Sequence, residues 1–177
     1  MTLHDDVRAV LTAWTPPSDV QARLRDDYVA FLDEHADGTW RACVPGHITA
    51  SALVLSHDRR EVLLTLHPKV GKWLQMGGHC EPGDAGIRDA AAREALEESG
   101  IPGLELGASP VQLDRHRVTC HGGSDHLDVQ YVALAPEGAE HVISEESLDL
   151  AWFAVDALPD LTDDALRNLV AAALRSG

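Results

Sequence analysis

An arginine followed by three glutamates at helical spacing is the feature that most constrains this chain. Arg93, Glu94, Glu97 and Glu98 lie in one short run. At about 100° per residue, a helix would project the three carboxylates into one arc roughly 100° wide. Like charges held that close repel one another, by about 0.2–0.5 kcal/mol per pair even when exposed. A solvated acidic helix face is the plain alternative, but such a cluster favours a site that binds a cation.

The residues around this cluster favour a defined site over an idle acidic face. Gly77-Gly78 and Pro82-Gly83 precede the predicted helix, and Gly100 and Pro102 end it. Carboxylate oxygens without a nearby pair of thiolates are ligands that suit Mg²⁺ or Mn²⁺ rather than zinc. The sequence therefore predicts a magnesium or manganese site on the three glutamates.

The composition is that of an ordinary globular protein without a targeting signal. Hydrophobic residues make up 45% of the 177 residues and charged residues 24%, which suits one domain with a buried core. No apolar run approaches the ~20 residues that span a bilayer, and the acidic N-terminus lacks the order of a signal peptide. The cysteines, Cys43, Cys80 and Cys120, are odd in number and widely spaced, so no disulfide framework is predicted. We therefore expect a cytoplasmic protein with reduced thiols.

The net charge narrows the range of partners. A formal charge of −15 argues against nucleic acid, because that affinity comes mainly from Lys and Arg that neutralise phosphates. The same charge disfavours an anionic membrane surface. A small-molecule diphosphate would also be repelled unless divalent cations neutralised it locally, so the acidic balance agrees with the predicted metal site.

The first 43 residues are predicted to form a helical hairpin that extends the main domain. Thr2 indicates the start of one helix, and Pro16-Pro17 must break it. Ser18 followed by Gln21 resembles a capping box for a second helix. The apolar residues of the hairpin are expected either to cover a sheet or to form a homodimer surface.

Residues 44–177 are predicted to form one mixed α/β domain in which strands surround a central helix. A last amphipathic helix is expected over residues 161–174, with Thr162 as its N-cap. The predicted strands have the alternating or apolar patterns of sheets and cover residues 47–55, 61–66, 73–76, 111–118, 126–134 and 148–153.

The run from Gly78 to Ile101 resembles the signature of the Nudix (MutT-like) hydrolases. The family pattern is Gly, five residues, Glu, seven residues, then Arg-Glu-apolar-x-Glu-Glu-x-Gly-apolar. The second half is matched fully from Arg93, through Gly100, to Ile101. The first half departs twice, because Asp84 replaces the glutamate and eight residues rather than seven separate it from Arg93. These departures put the role of Asp84 in doubt and leave the metal-binding core of the motif intact.

The resemblance implies an α/β/α sandwich with a mixed sheet and a metal-dependent hydrolase. Members of this family cleave a pyrophosphate bond in a nucleoside diphosphate linked to another moiety, with a metal bound by the signature glutamates. A glutamate acts as the general base, and two positions compete for that role: Glu94, and the loop pair Glu145-Glu146, of which Glu146 is the candidate. Arg93 lies four residues before Glu97 and can pair with it.

Two other functions remain open for a chain with this signature. An enzyme similar to isopentenyl-diphosphate isomerase would use a cysteine and a glutamate, and no cysteine stands in a matching motif. A ligand-sensing or interaction module without catalysis would tend to have lost helix glutamates, and all three are present here. Specificity in this fold lies outside the signature, so the substrate is not predicted.

Polar residues that alternate along two predicted strands are candidates for substrate binding. His47, Thr49 and Ser51 share one face of the first strand, and His126 and Asp128 share one face of a later strand. Because strands in such a domain usually bury apolar residues on both faces, we expect these faces to border an open substrate cleft beside His79, on the same side of the sheet as the glutamates. Histidines there would make activity titrate between about pH 5 and 8.

A zinc site among the histidines is the alternative use of these residues. His116, Cys120, His121, His126 and Asp128 lie within 13 positions of the sequence. Neither a Cys-x-x-Cys nor a His-x-x-x-His spacing is present, and such local spacings are the usual signature of zinc ligands. The spacing therefore argues against zinc.

Overall fold

A computed structural model describes residues 1–118, 123–143 and 147–176. The helices are α1 (Leu3–Ala13), α2 (Asp19–Glu34), α3 (Ile87–Ser99) and α4 (Asp164–Arg175). The strands are β1 (Gly46–Leu55), β2 (Glu61–Leu66), β3 (Trp73–Leu74), β4 (Met76–His79), β5 (Glu105–Leu106), β6 (Gln112–Arg117), β7 (Asp125–Leu134) and β8 (Asp149–Ala154). The predicted strands and the central helix are confirmed, except that the 73–76 stretch continues as two strands and β5 was not expected.

The strands form one mixed sheet with β1 and β7 at its centre. These two strands run parallel from Gly46↔Asp125 to Leu55↔Leu134, and the other pairings among the described residues are antiparallel. On either side, β4 and β2 pair with β1, while β6 and β5 pair with β7. The sheet therefore places β4, β1, β7 and β6 side by side.

Helices cover both faces of the sheet, which gives the predicted α/β/α sandwich. Ala50 and Ala52 of β1 lie in one apolar cluster with Ala91 and Ala95 of α3. Leu53 of β1 lies in a second cluster with α4, packed on the other face. Because alanine side chains are small, α3 can approach the sheet closely. This close packing positions the charged residues of α3 that lie beside these alanines in the sequence, Arg93 and the three glutamates.

The N-terminal hairpin covers the domain rather than standing apart from it. Val7 and Leu11 of α1, and Tyr28 of α2, are fully buried in the same cluster as the α3 alanines. The Tyr28 hydroxyl donates a 2.7 Å hydrogen bond to the Asp114 carbonyl of β6. Of the two roles expected for the hairpin, the structure shows the cover.

The ends of the helices confirm the predicted N-caps Thr2 and Ser18 and correct the third, Thr162. Thr2 caps α1 in a full capping box with Asp5. Ser18 accepts from the Gln21 N–H as expected, but the Gln21 side chain does not return to Ser18; it pairs with both backbone groups of Leu113 on β6. The N-cap of α4 is Asp163, because the hydroxyl of Thr162 donates instead to the Trp73 carbonyl.

Candidate active site

Two consecutive glycines bring β4 against the carboxylates of α3. A Cβ on Gly78 would lie 2.6 Å from Glu94 Oε1, so a larger residue would force this carboxylate to move away from the strand. The Gly77 N–H donates a 2.9 Å hydrogen bond to Glu98 Oε1. The glycines that precede the helix in the sequence thus seat two of its three glutamates directly on the strand.

Arg93 joins the carboxylates of Asp84, Glu94 and Glu97 into one network. Its Nη1 donates to Glu94 Oε1 at 2.9 Å and to Glu97 Oε2 at 3.1 Å, which confirms the predicted pairing with Glu97. Its Nη2 donates to the His79 carbonyl at 2.9 Å. The pKa of Arg93 is raised above its ordinary value, and its hydrogen bonds to Asp84 are the largest cause. The guanidinium is therefore a permanent positive charge between the glutamates, fixed to the end of β4.

Asp84 has a defined partner despite the two departures of its sequence context. Its carboxylate makes a two-point ion pair with Arg93, at 3.0 Å to both Nε and Nη2, and accepts from the Glu81 N–H at 2.7 Å. Burial alone would raise the pKa of Asp84, but the bonds from Arg93 and Glu81 outweigh it and hold the pKa below the ordinary 3.8. Asp84 is therefore a positioning residue for Arg93.

The donor set on α3 fits a hard divalent cation. Glu94 and Glu98 are partly buried against β4, whereas the Glu97 side chain is 59% exposed. All three offer carboxylate oxygens, the ligands that Mg²⁺ and Mn²⁺ prefer, and one arginine balances only part of their charge. The residues that could hold the predicted cation are thus positioned by two partners, β4 for Glu94 and Glu98, and Arg93 for Glu94 and Glu97.

The loop candidates for the general base lie outside the described residues. Glu145 and Glu146 fall in the segment 144–146, and Cys120 and His121 fall in the segment 119–122. Of the two positions that compete for this role, the structure describes only Glu94.

The predicted substrate-binding residues are brought together, but as a buried network. Thr49 Oγ1 and Ser51 Oγ donate to the two carboxylate oxygens of Asp128, at 3.0 and 2.6 Å. The side-chain amide of Gln130 donates to the same carboxylate at 3.0 Å. Asp128 is 4% exposed, and this burial raises its pKa although the three hydrogen bonds act in the opposite direction.

The position of this network corrects the expected open cleft. Ser51 pairs with Gly77 and Ala50 with Gly78. Because neighbouring residues of a strand point to opposite faces, Ser51 and Asp128 lie on the face opposite that against which Glu94 packs. The prediction that these polar faces border an open cleft was wrong. The polar side chains lie in the interior, where they form hydrogen bonds with one another. Their predicted contact with substrate stays a prediction.

Histidines line the same face, next to His79 as expected. The ring centroids of His47 and His79 are 5.0 Å apart, and those of His47 and His126 are 4.8 Å apart. Burial, followed by the neighbouring histidines, lowers the pKa of His126 to about 3. The expected titration between pH 5 and 8 is therefore wrong for His126, which is neutral over that range.

A carboxylate from the N-terminal hairpin caps the signature helix. Gly86, the N-cap residue of α3, makes no side-chain cap. Asp6 Oδ2 of α1 accepts from the Ile87 N–H at 2.8 Å instead. This role was not predictable from local sequence because Asp6 and Ile87 are far apart in the chain, and glycine at the N-cap position was the one local sign that the cap comes from elsewhere.

Comparisons with known proteins agree with this architecture. Residues 45–173 match the NUDIX domain family. A NUDIX-family hydrolase from Clostridium perfringens is 23% identical, with a TM-score of 0.63 over 74% of this chain and 98% of that one. The MutT NUDIX hydrolase from Burkholderia pseudomallei is 27% identical, with a TM-score of 0.57 over 71% and 95%. The dihydroneopterin triphosphate pyrophosphohydrolase of E. coli is 19% identical, with a TM-score of 0.61 over 73% and 96%.

The fold is that of a Nudix domain. Because the family match spans most of the chain, this protein belongs to the Nudix hydrolase family. Among the described residues, no helix is both long enough and apolar enough to cross a membrane.

Proposed function

We propose that this protein hydrolyses the pyrophosphate bond of a nucleoside diphosphate linked to another moiety. The observation that carries this proposal is the seating of Glu94 and Glu98 on Gly78 and Gly77, with Arg93 between Glu94 and Glu97. Family membership supports hydrolysis, and two structural neighbours are named for phosphate-anhydride substrates, the E. coli pyrophosphohydrolase and an Ap4A hydrolase of C. elegans. The substrate of this chain belongs to the same chemical class in our proposal.

Glu94, Glu97 and Glu98 would hold Mg²⁺ or Mn²⁺. Such an ion supplies neutralisation of the diphosphate oxygens, which otherwise repel the attacking water and the acidic protein. Arg93 orients Glu94 and Glu97, and Asp84 fixes Arg93 by a two-point contact. Water attacks one phosphorus, the bond to the bridging oxygen breaks, and a glutamate accepts the proton of the water.

We assign that proton to either Glu94 or Glu146. Glu94 is the more confined, since its side chain is 13% exposed and is held by Arg93. Glu146 is retained because a separate loop base would leave all three helix glutamates to the cation. The two assignments differ in one measurable way: loss of a base lowers turnover, whereas loss of a ligand lowers turnover and metal affinity together.

Of the substrate contacts predicted on the polar face, we keep only those of His79 and His126 in the proposal. His79 and His126 are partly exposed, so part of each side chain is accessible to a bound molecule, although Nε2 of each ring is buried. Thr49, Ser51 and Asp128 are buried and form hydrogen bonds with one another. The proposal also keeps a cytoplasmic location, which agrees with the buried free thiols of the two described cysteines.

Release of phosphate or mononucleotide from a substrate panel tests the proposed reaction. The panel holds nucleoside diphosphate sugars, dinucleoside polyphosphates and nucleoside triphosphates, each with Mg²⁺ and with chelator, alongside isopentenyl diphosphate. We expect Mg²⁺-dependent cleavage of at least one nucleotide substrate. Isomerisation of isopentenyl diphosphate without nucleotide cleavage would favour the isomerase, and nucleotide binding without turnover would favour a sensing module.

A further inference from the structure

Four histidines form a row across four neighbouring strands, on the face of the sheet away from Glu94. His47 of β1 pairs with His126 of β7, which pairs with His116 of β6. His79 of β4 completes the row, with its ring centroid 5.0 Å from that of His47 and 5.1 Å from that of His126. The hydrolysis proposed above uses none of these rings as a metal ligand.

Three of these imidazoles converge closely enough to share one metal ion. One ring nitrogen from each of His47, His79 and His126 lies within 4.8 Å of the others. A tetrahedral zinc ion with bonds of about 2.0–2.1 Å would place its nitrogens roughly 3.4 Å apart. Binding would therefore draw the nitrogens together by up to about 1.4 Å, which rotations about the side-chain bonds can supply.

The burial of His126 supplies an independent reason for a ligand. Its Nε2 is buried and makes no hydrogen bond to any described residue. A buried polar atom left without a partner costs about 1–3 kcal/mol, so native proteins rarely keep one. A metal ion bound to the lone pair of this nitrogen removes that cost.

The fourth histidine is held as histidines beside metal ions often are. His116 Nδ1 lies 2.8 Å from Asp114 Oδ2, so the carboxylate fixes the ring and leaves Nε2 for another contact. Its ring centroid is 5.4 Å from that of His126. His116 therefore borders the group of three through His126.

We propose that His47, His79 and His126 form a binding site for a transition metal ion, with zinc as the expected occupant. Imidazole nitrogens suit zinc, cobalt, nickel and copper, whereas carboxylates suit magnesium and manganese. The chain thus carries two cation sites of different chemistry, on opposite faces of β4. The measurement of metal binding at the histidine site does not depend on the proposed hydrolysis, but a metal ion there would replace the substrate contacts proposed for His79 and His126.

The two sites share β4 as a mechanical link. His79 ends the strand whose Gly77 and Gly78 seat Glu98 and Glu94, and its carbonyl accepts from Arg93. A metal ion on His79 therefore fixes the strand on which the carboxylate site is built. Because the ion binds the folded state, saturating zinc should also raise the thermal midpoint.

Direct metal binding to the full chain tests this proposal. The chelator-treated protein is titrated with Zn²⁺ by calorimetry in excess Mg²⁺, which occupies the carboxylates, and with Co²⁺ by visible absorption. We expect one ion per chain and a cobalt spectrum of four-coordinate nitrogen-rich sites. His79→Asn and His126→Gln should each weaken zinc binding about 100-fold or more, since even loss of a residue behind the ligands costs 10–100-fold.

Two matched controls distinguish this site from a surface histidine and from a second group of ligands. His57→Asn changes an exposed histidine and should leave zinc binding unchanged. Cys43→Ser removes one member of the second group, His35, Asp37 and Cys43, and should also leave it unchanged. No stoichiometric zinc or cobalt binding to the folded wild-type chain would overturn the proposal. Binding that survives both His79→Asn and His126→Gln, or that is lost in Cys43→Ser, would overturn it as well.

Discussion

Arg93 is the residue on which the geometry of the carboxylate site depends. It contacts Glu94, Glu97 and the His79 carbonyl with one planar group, while Asp84 holds the opposite edge of that group. A lysine would supply the charge without this fork of donors. The permanent charge of Arg93 rules out proton transfer by this residue, so the part we propose for it is to position carboxylates.

Replacing Asp84 should release Arg93 and show a specific pH dependence. We expect Asp84→Asn to lower the free energy of unfolding by about 2 kcal/mol at pH 7, because it removes a partly buried charged hydrogen-bond pair. The folded-state pKa of Asp84 lies below 3.8. Its stabilisation is therefore complete above the unfolded value and is lost as the pH falls through the folded value.

Urea unfolding of wild type and Asp84→Asn from pH 7 down to pH 3 measures this effect. The difference between the two proteins should stay constant down to about pH 5 and shrink below pH 4. Asp160→Asn, at an exposed position, is the control and should show little difference at any pH. A difference for Asp84→Asn that grows on acidification would contradict the ion pair.

Glu146 and Glu145 are tested by their separate effects on turnover and on metal affinity. If Glu146 is the base, Glu146→Gln should lower turnover by about 10²–10⁴-fold with nearly unchanged Mg²⁺ affinity. Glu145→Gln, at the neighbouring position, should keep most activity. Wild-type rates in both variants would show that Glu94 or another group is the general base.

At the scale of elements, the signature helix depends on a residue of another helix. Asp6 of α1 caps α3 through the Ile87 N–H, and a Cβ on Gly86 would lie 2.6 Å from the Asp6 carboxylate. The negative charge also suits the positive end of the helix dipole. The N-terminal extension thus stabilises the start of the helix that carries the glutamates.

Asp6→Ala should destabilise the protein through this cap. Loss of an N-cap carboxylate costs about 1 kcal/mol, and we expect a decrease of that size in urea unfolding. Hydrogen exchange should show faster exchange at the Ile87 amide and in the first turn of α3. Asp27→Ala, an exposed aspartate of α2, is the matched control. Equal stability of the two variants would show that the cap contributes nothing.

Local sequence patterns predicted the helices and strands, but they did not predict the contacts between elements that are distant in the chain. The spacing of Glu94, Glu97 and Glu98 and the flanking glycines were enough to predict α3 and its carboxylate face. The cap from Asp6 and the convergence of His47, His79 and His126 were not predictable, because they depend on which strands and helices become neighbours. Zinc was disfavoured on local spacing, and spacing is uninformative when each ligand comes from a different strand.

At the scale of the molecule, the hairpin and the sheet share one core. Val7 of α1 is fully buried, whereas Val20 of α2 is 62% exposed. These two valines therefore form a matched pair within the same extension.

We expect Val7→Ala to lower the free energy of unfolding by about 1–3 kcal/mol, because it leaves a cavity under the helix. Val20→Ala should change it by less than about 0.5 kcal/mol. Equal effects in thermal or urea unfolding would show that residues 1–43 fold apart from the domain.

The charge of the whole molecule makes the carboxylate site its central feature. A chain with a net charge of −15 repels an anionic diphosphate, and the metal ion on α3 would reverse that repulsion at one place. The central claim is therefore that Glu97 and Glu98 bind the ion that hydrolysis requires. Glu137, at an exposed loop position, offers a control of the same charge.

The most direct test is the Mg²⁺ dependence of hydrolysis in Glu97→Gln, Glu98→Gln and Glu137→Gln, with Mn²⁺ affinity measured on the same samples by electron paramagnetic resonance. We expect the first two variants to lose at least about 100-fold in turnover, equivalent to roughly 3 kcal/mol of barrier, and to bind Mn²⁺ more weakly while remaining folded. Glu137→Gln should match the wild type. Unchanged Mn²⁺ affinity and unchanged turnover in both Glu97→Gln and Glu98→Gln would contradict the account.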